Sequence, residues 1–211
     1  ISERKWTEEA LESLVESMVG VTGMAYLHQV TRSLCEWFQT DGACIGEMID
    51  RERIRAVAMV LDGQLRDGYE YLLCGTPCAG VLSQGPLLIE QQAAALFPDD
   101  PQIAKLGIQG YAGVPLEDLG GQARGILWII SRAPMRLPGN WKGVLQIIAA
   151  KAAAEIARLH AEEALRSKSA YLDGILMSSF NMAVVATDVD YRVRIYHPAA
   201  ERIMGLRADE V

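Results

Sequence analysis

Cys74 and Cys78 are the residues in this sequence whose type and spacing come nearest to chemistry. If the segment were extended, equal parity would put both thiols on one face. Pro77 between them argues against continuous strand. Two thiols do not complete a tetrahedral zinc site, and His28, His160 and His197 are scattered along the chain, so no metal site is expected. His28 falls at the edge of an apolar helical stripe with no second ligand one turn away, which reads as a partly buried histidine. A nucleophilic thiol needs its pKa lowered by a helix N-terminus or a nearby cation. Cys78 falls near the start of a short helix after Pro77, but no Lys, Arg or His flanks it. Packing is the default role of such a cysteine.

Other catalytic patterns are missing. The sequence has no phosphate-binding Gly-Lys-Ser/Thr loop, no H-E-x-x-H and no G-x-S-x-G. Carboxylates are plentiful, yet none is paired inside an apolar run in a way that suits general acid–base work. Net charge is −7 over 211 residues, with no block of Lys or Arg. Binding DNA or RNA needs a basic face, so neither is an expected partner. The same lack argues against an anionic membrane surface. The apolar run Gly125 to Ile130 is far short of the roughly 20 residues that span a bilayer. Four cysteines in apolar contexts, without a secreted framework, read as reduced thiols of a cytoplasmic protein. The start at Ile1 reads as the cut end of something longer.

The elements that must position these residues follow from periodicity. Thr7 to Met18 reads as a helix with Trp6, Ala10, Leu14 and Met18 along one side. Met24 to Phe38 reads as a second, with Leu27, Val30, Leu34 and Phe38 in one stripe. Strand-like runs Ala43 to Ile49 and Ile54 to Leu61 enclose the charged tetrad 50–53 and form a hairpin. A second hairpin pairs Gly110 to Leu116 with Ala123 to Ser131, and Gly120-Gly121 supplies positive φ in its turn. Between the hairpins lies an irregular insert, Asp62 to Gln109. It carries short strands near Tyr69–Leu73 and Pro86–Ile89 and short helices near Pro77–Leu82 and Gln91–Phe97. Helices, hairpin, insert, hairpin and helix make an α+β fold with an antiparallel sheet.

From Trp141 a long helix runs to Leu176. Trp141, Leu145, Ile148, Ala152, Ile156 and Leu159 form one stripe, with a stutter in its spacing. A second seam, Leu165, Ser169, Leu172 and Leu176, starts roughly half a turn around the helix. No Gly or Pro interrupts the chain between Gly143 and Gly174, so the reading is one continuous helix whose apolar face changes sides.

Tyr71-Leu72-Leu73-Cys74-Gly75-Thr76-Pro77-Cys78 resembles the Y-x-L-x-G-T-P-C segment of one bacterial branch of GAF domains. Phe97-Pro98-Asp99-Asp100, Leu106-Gly107, Tyr111 to Leu116, Gly121 and Gly125-Ile126-Leu127 follow in that branch's order. Farther on, Leu172 to Leu176, Ala183 to Asp188 and His197-Pro198-Ala199-Ala200-Glu201-Arg202-Ile203-Met204-Gly205 resemble the entry helix, first strand and following helix of a PAS domain. The organisation read from these resemblances is an N-terminal helix over 1–22 and a GAF-like sensor over 23–140. A signalling helix over 141–176 and a truncated PAS-like segment over 177–211 follow.

The resemblance implies sensing. Such tandems sit upstream of a histidine kinase of a two-component system, a diguanylate cyclase or a cyclic-nucleotide phosphodiesterase, and the fragment itself is expected not to be an enzyme. An unidentified small molecule would lie between the sheet and the insert, lined by Tyr71, Cys78, Phe97, Tyr111 and Trp128. No cofactor can be named. The long helix, Trp141 to Leu176, would pair with that of a second copy to make a homodimer. Two alternatives stay open. One is a cysteine-dependent redox enzyme resembling the GAF-fold methionine sulfoxide reductases, and the other is a purely structural dimerisation module.

Overall fold

Near-continuous apolar runs along the central strands decide the architecture, because residues of both parities are buried there. The computed structural model describes residues 20–178 and 183–210, so the expected helix Thr7 to Met18 lies outside the described residues. Helix α1 (Gly23–Phe38) comes first. Strands β1 (Gly42–Met48), β2 (Arg53–Leu61), β3 (Gln64–Leu65) and β4 (Glu70–Leu72) follow. The insert continues with α2 (Pro77–Gln84), β5 (Leu87–Ile89), α3 (Ala93–Leu96) and α4 (Pro101–Leu106). Then come β6 (Gly110–Glu117), β7 (Ala123–Ser131) and α5 (Trp141–Ser178).

The main sheet has the order β3-β2-β1-β7-β6-β5, with β4 also paired to β2, and every pairing is antiparallel. Cys44, Tyr111, Ile126, Trp128 and Ile130 join one buried cluster with the insert residues Leu73, Cys78, Val81, Ala93 and Ile103. Residues of opposite parity, Ala43, Ile45, Ala112, Val114, Leu127 and Ile129, are buried too, which the period of two assigns to the other face. Helix α1 packs on β1 and β2 and buries Tyr26, Leu27, Val30, Thr31 and Leu34. Each of its fully buried large apolar side chains contributes about 1.5–3 kcal/mol.

Two glycines permit the central strands to approach. A Cβ at Gly125 would lie 2.2 Å from the Gly46 carbonyl oxygen, and one at Gly46 would lie 2.6 Å from Ile54. In the β6–β7 turn only Gly121 takes a positive φ (75°), where both glycines were expected to. Asp118 organises the rest: one carboxylate oxygen accepts the N–H groups of Gly120 and Gln122, and the other accepts from Arg124 Nε at 2.8 Å.

Helix α5 is continuous, as the sequence implied. Val144, Leu145, Ile148, Ala149, Ala152 and Ile156 are buried; Trp141 and Leu159, the ends of the expected stripe, are half-buried. The chain divides into two compact units at Ala157/Arg158. The second unit holds the remainder of α5, then β8 (Val185–Thr187) and β9 (Val193–Tyr196) as an antiparallel pair, and α6 (Pro198–Met204). His197 caps α6: its Nδ1 accepts the Ala199 N–H at 3.0 Å, doing what Asn does at such positions. Among the described residues, no helix is long and apolar enough to cross a membrane.

Candidate functional site

Four of the five expected site residues meet under the insert. Tyr71 arrives from β4, which is registered against β2 through Ile54. Trp128 and Tyr111 stand on β7 and β6, and Cys78 occupies the first turn of α2, behind Pro77. The Trp128 indole N–H donates to the Tyr71 hydroxyl at 2.9 Å. The Cys78 sulfur lies 3.5 Å from that hydroxyl and 3.4 Å from the hydroxyl of Tyr111. Trp128, Tyr71, Cys78 and Tyr111 therefore form one hydrogen-bonded chain. Tyr111 also lies along its own strand, since a Cβ at Gly113 would strike its hydroxyl at 2.6 Å.

Burial sets the electrostatics of this chain. Desolvation pushes the Cys78 thiol above its ordinary value, and the hydrogen bonds from Tyr111, Tyr71 and Thr76 offset only part of that rise. Desolvation likewise holds the phenols of Tyr71 and Tyr111 well above the usual range. The cluster is neutral at pH 7. A start-of-helix position favours a thiolate in general, but here burial outweighs it and favours the protonated thiol. Cys74 shares none of this: it is exposed in a turn where Gly75 takes φ 76°. The parity that would have put both thiols on one face therefore has no extended segment to act through.

Phe97, the fifth residue, stands apart. It follows the single turn of α3, packs half-buried against the same core, and borders a shallow cleft with Leu87, Leu88, Ile89 and Leu96 along the edge strand β5. A different cleft, of about 440 Å³, opens between α2 and the far ends of β6 and β7. Met48, Val81, Leu82 and Pro115 line its apolar part, with Ser83, Glu117 and Gln122 at the polar margin. Val81 belongs both to this cleft and to the core cluster that includes Cys78, but none of the five expected site residues lines the cleft. Its volume is in the range of small-molecule sites. The sequence reading missed it because its residues come from four separate segments, none with a motif of its own. Among the described residues, no group of three His, Cys, Asp or Glu side chains could hold a metal ion.

No known sequence family matches the chain, and no curated protein matches it. Solved structures do. The GAF domain of an Acinetobacter phosphoenolpyruvate-protein phosphotransferase aligns with a TM-score of 0.60 at 16% identity, covering 75% of this chain and 97% of that one. The fold is GAF-like. The GAF domain of a Coxiella burnetii phosphoenolpyruvate-protein phosphotransferase gives a TM-score of 0.58 at 17% identity, over 78% and 99% of the two chains. The chromophore-binding domain of Stigmatella aurantiaca phytochrome P1 gives 0.56 at 10% identity, over 73% and 60%. At these identities the likeness is one of architecture.

Proposed function

We propose that this chain is a sensory module that binds a small molecule on the insert-covered face of its GAF-like sheet. Occupancy would pass along α5 to an effector outside this sequence, a histidine kinase or a diguanylate cyclase, in the cytoplasm. The observation that carries the reading is the cleft of about 440 Å³ between α2 of the insert and the sheet, lined in part by Val81 of the same core cluster as Cys78. An irregular cover over a rigid sheet is where binding function concentrates. A domain of the same architecture, that of Stigmatella phytochrome P1, is a chromophore-binding domain. In this reading the segment from Val185 is the start of a PAS-like domain, and a second copy of the chain pairs along the exposed part of α5. The module has, in this reading, no catalysis of its own; the thiol that a redox enzyme would need is buried, and burial raises its pKa.

Native mass spectrometry of freshly purified protein, beside denaturing mass spectrometry, tests the reading. A retained molecule in the wild type that is lost in Leu82→Trp, which fills the cleft, is the expected result. Retention unaffected by Leu82→Trp would move the site elsewhere. Turnover of methionine sulfoxide lost in Cys78→Ser would replace the proposal with the redox reading.

A further inference from the structure

The end of the sheet beside the cleft carries three carboxylates, and their partners differ. Glu47 on β1 holds the guanidinium of Arg55. Asp118, at the β6–β7 turn, holds Arg124 at 2.8 Å. Glu117 lines the cleft, and neither an ion pair nor a hydrogen bond engages its side chain among the described residues. The ladder itself explains the difference. β6 and β7 run in regular register up to Leu116 opposite Gly125, and a regular next step would set Arg124 across from Glu117. The register shifts there, and Ala123 stands opposite Glu117 instead. Arg124 becomes the extra residue of a bulge, and its side chain goes to Asp118. A directly opposed Glu–Arg pair would stabilise the hairpin, so the bulge gives up that pair and leaves the Glu117 carboxylate available at the cleft. Bulges commonly re-aim side chains beside sites in this way.

No Lys or Arg is among the residues that line the cleft. An anionic ligand would find no counter-charge there, and Glu117 would repel it. A ligand with an apolar body finds Met48, Leu82 and Pro115, and a positive end finds Glu117. We infer that the cleft takes an organic cation, a protonated amine on an apolar ring or short chain, with Glu117 as its counter-ion. This rests on the sensory reading and names the chemical class of its ligand.

The test uses three probes of one shape and different charge: phenethylammonium, phenethyl alcohol and phenylpropionate. Each is titrated into the isotope-labelled chain, with amide chemical shifts of α2 and the β6–β7 turn as the readout. The ammonium is expected to bind about fivefold more tightly than the carboxylate, the upper end of the scale for an exposed ion pair. Glu117→Gln should reduce it to the affinity of the alcohol, whose own binding stays unchanged. Added salt should weaken the ammonium alone. Equal binding of all three, preference for the carboxylate, or no effect of Glu117→Gln would overturn the assignment of charge. Failure of all three to perturb the cleft would also overturn it. The sensory reading is judged separately, on whether the native mass spectrum holds a retained molecule.

Discussion

The Glu155 carboxylate accepts the backbone N–H of Gly23, a residue 132 positions earlier in the chain. Gly23 opens α1, and the first N–H groups of a helix have no partner within it. A negative charge at that end also suits the helix dipole. One turn back on α5, the Lys151 ammonium lies 5.5 Å from the centre of the Tyr26 ring. Glu155 is buried, and it is followed by Ile156, the last buried apolar residue among the described side chains of α5. The two contacts therefore fasten α5 to α1 at the point where the helix leaves the first compact unit, whose last residue is Ala157.

Glu155→Ala should accordingly destabilise the protein by about 1.5–3 kcal/mol, the range for a buried hydrogen bond to a charged group. Glu155→Gln keeps an acceptor and should cost less. Urea denaturation gives the difference. Hydrogen exchange should localise it, with faster exchange in the first turn of α1 and around 148–156 of α5. A uniform loss of protection across the sheet would contradict the fastening role.

Tyr26 gives a dependence on pH. Burial, and secondarily the charge of Glu155, raise its phenol from an ordinary 10.0 to about 12. The unfolded chain releases this proton near 10 while the folded chain retains it. The contribution to stability is therefore complete below pH 10 and is lost as pH rises from 10 towards 12. The buried phenols of Tyr71 and Tyr111 are shifted the same way. Tyr26→Phe should flatten the alkaline loss of stability without abolishing it. Urea midpoints of both proteins on either side of pH 10 check this, and equal slopes would refute it.

The four cysteines should react in an order set by burial. Cys74 is exposed, whereas burial pushes Cys35 to about 11 and Cys44 and Cys78 above their ordinary values. Iodoacetamide at neutral pH should label Cys74 at least about a hundredfold faster than Cys78, because only the thiolate attacks. Peptide mass mapping after short exposure reads the ratio. Rapid native labelling of Cys78 would mean that its hydrogen-bonded chain opens readily.

The sheet was legible because its strands are short apolar runs and its hairpins carry their own turn residues. The two hairpins and α1 fall within a residue or two of the sequence reading. Helix α4 was passed over although its signals are present. Asp100 accepts from the N–H groups of Gln102 and Ile103, Pro101 follows it, and Gly107 ends the helix at φ 67°. Six residues are too few for periodicity to register, so capping alone announced this helix. The convergence of Tyr71, Cys78, Tyr111 and Trp128 could be anticipated from family resemblance and aromatic character. The role of Glu117 could not, because it depends on a register shift that alternation does not encode.

Assembly is the last consequence. Leu165 is 71% exposed, Leu172 is 56% exposed, and Ser169 between them is exposed as well. Single exposed leucines are ordinary, but these stand at heptad spacing with Leu176, whose side chain lies outside the described set. At 1.5 Å per residue α5 is about 57 Å long, and among its described side chains none beyond Ile156 is buried. The later turns present a seam that two parallel copies would bury against each other. A homodimer at tens of micromolar is the expected state, by light scattering. Leu165→Glu together with Leu172→Glu sets like charges facing across that seam. It should raise the dissociation constant by about a hundredfold or more, while the thermal transition of the GAF-like unit stays close to that of the wild type. A wild-type monomer at that concentration, or a dimer indifferent to both substitutions, would remove α5 from the interface and leave the signal to travel by another route.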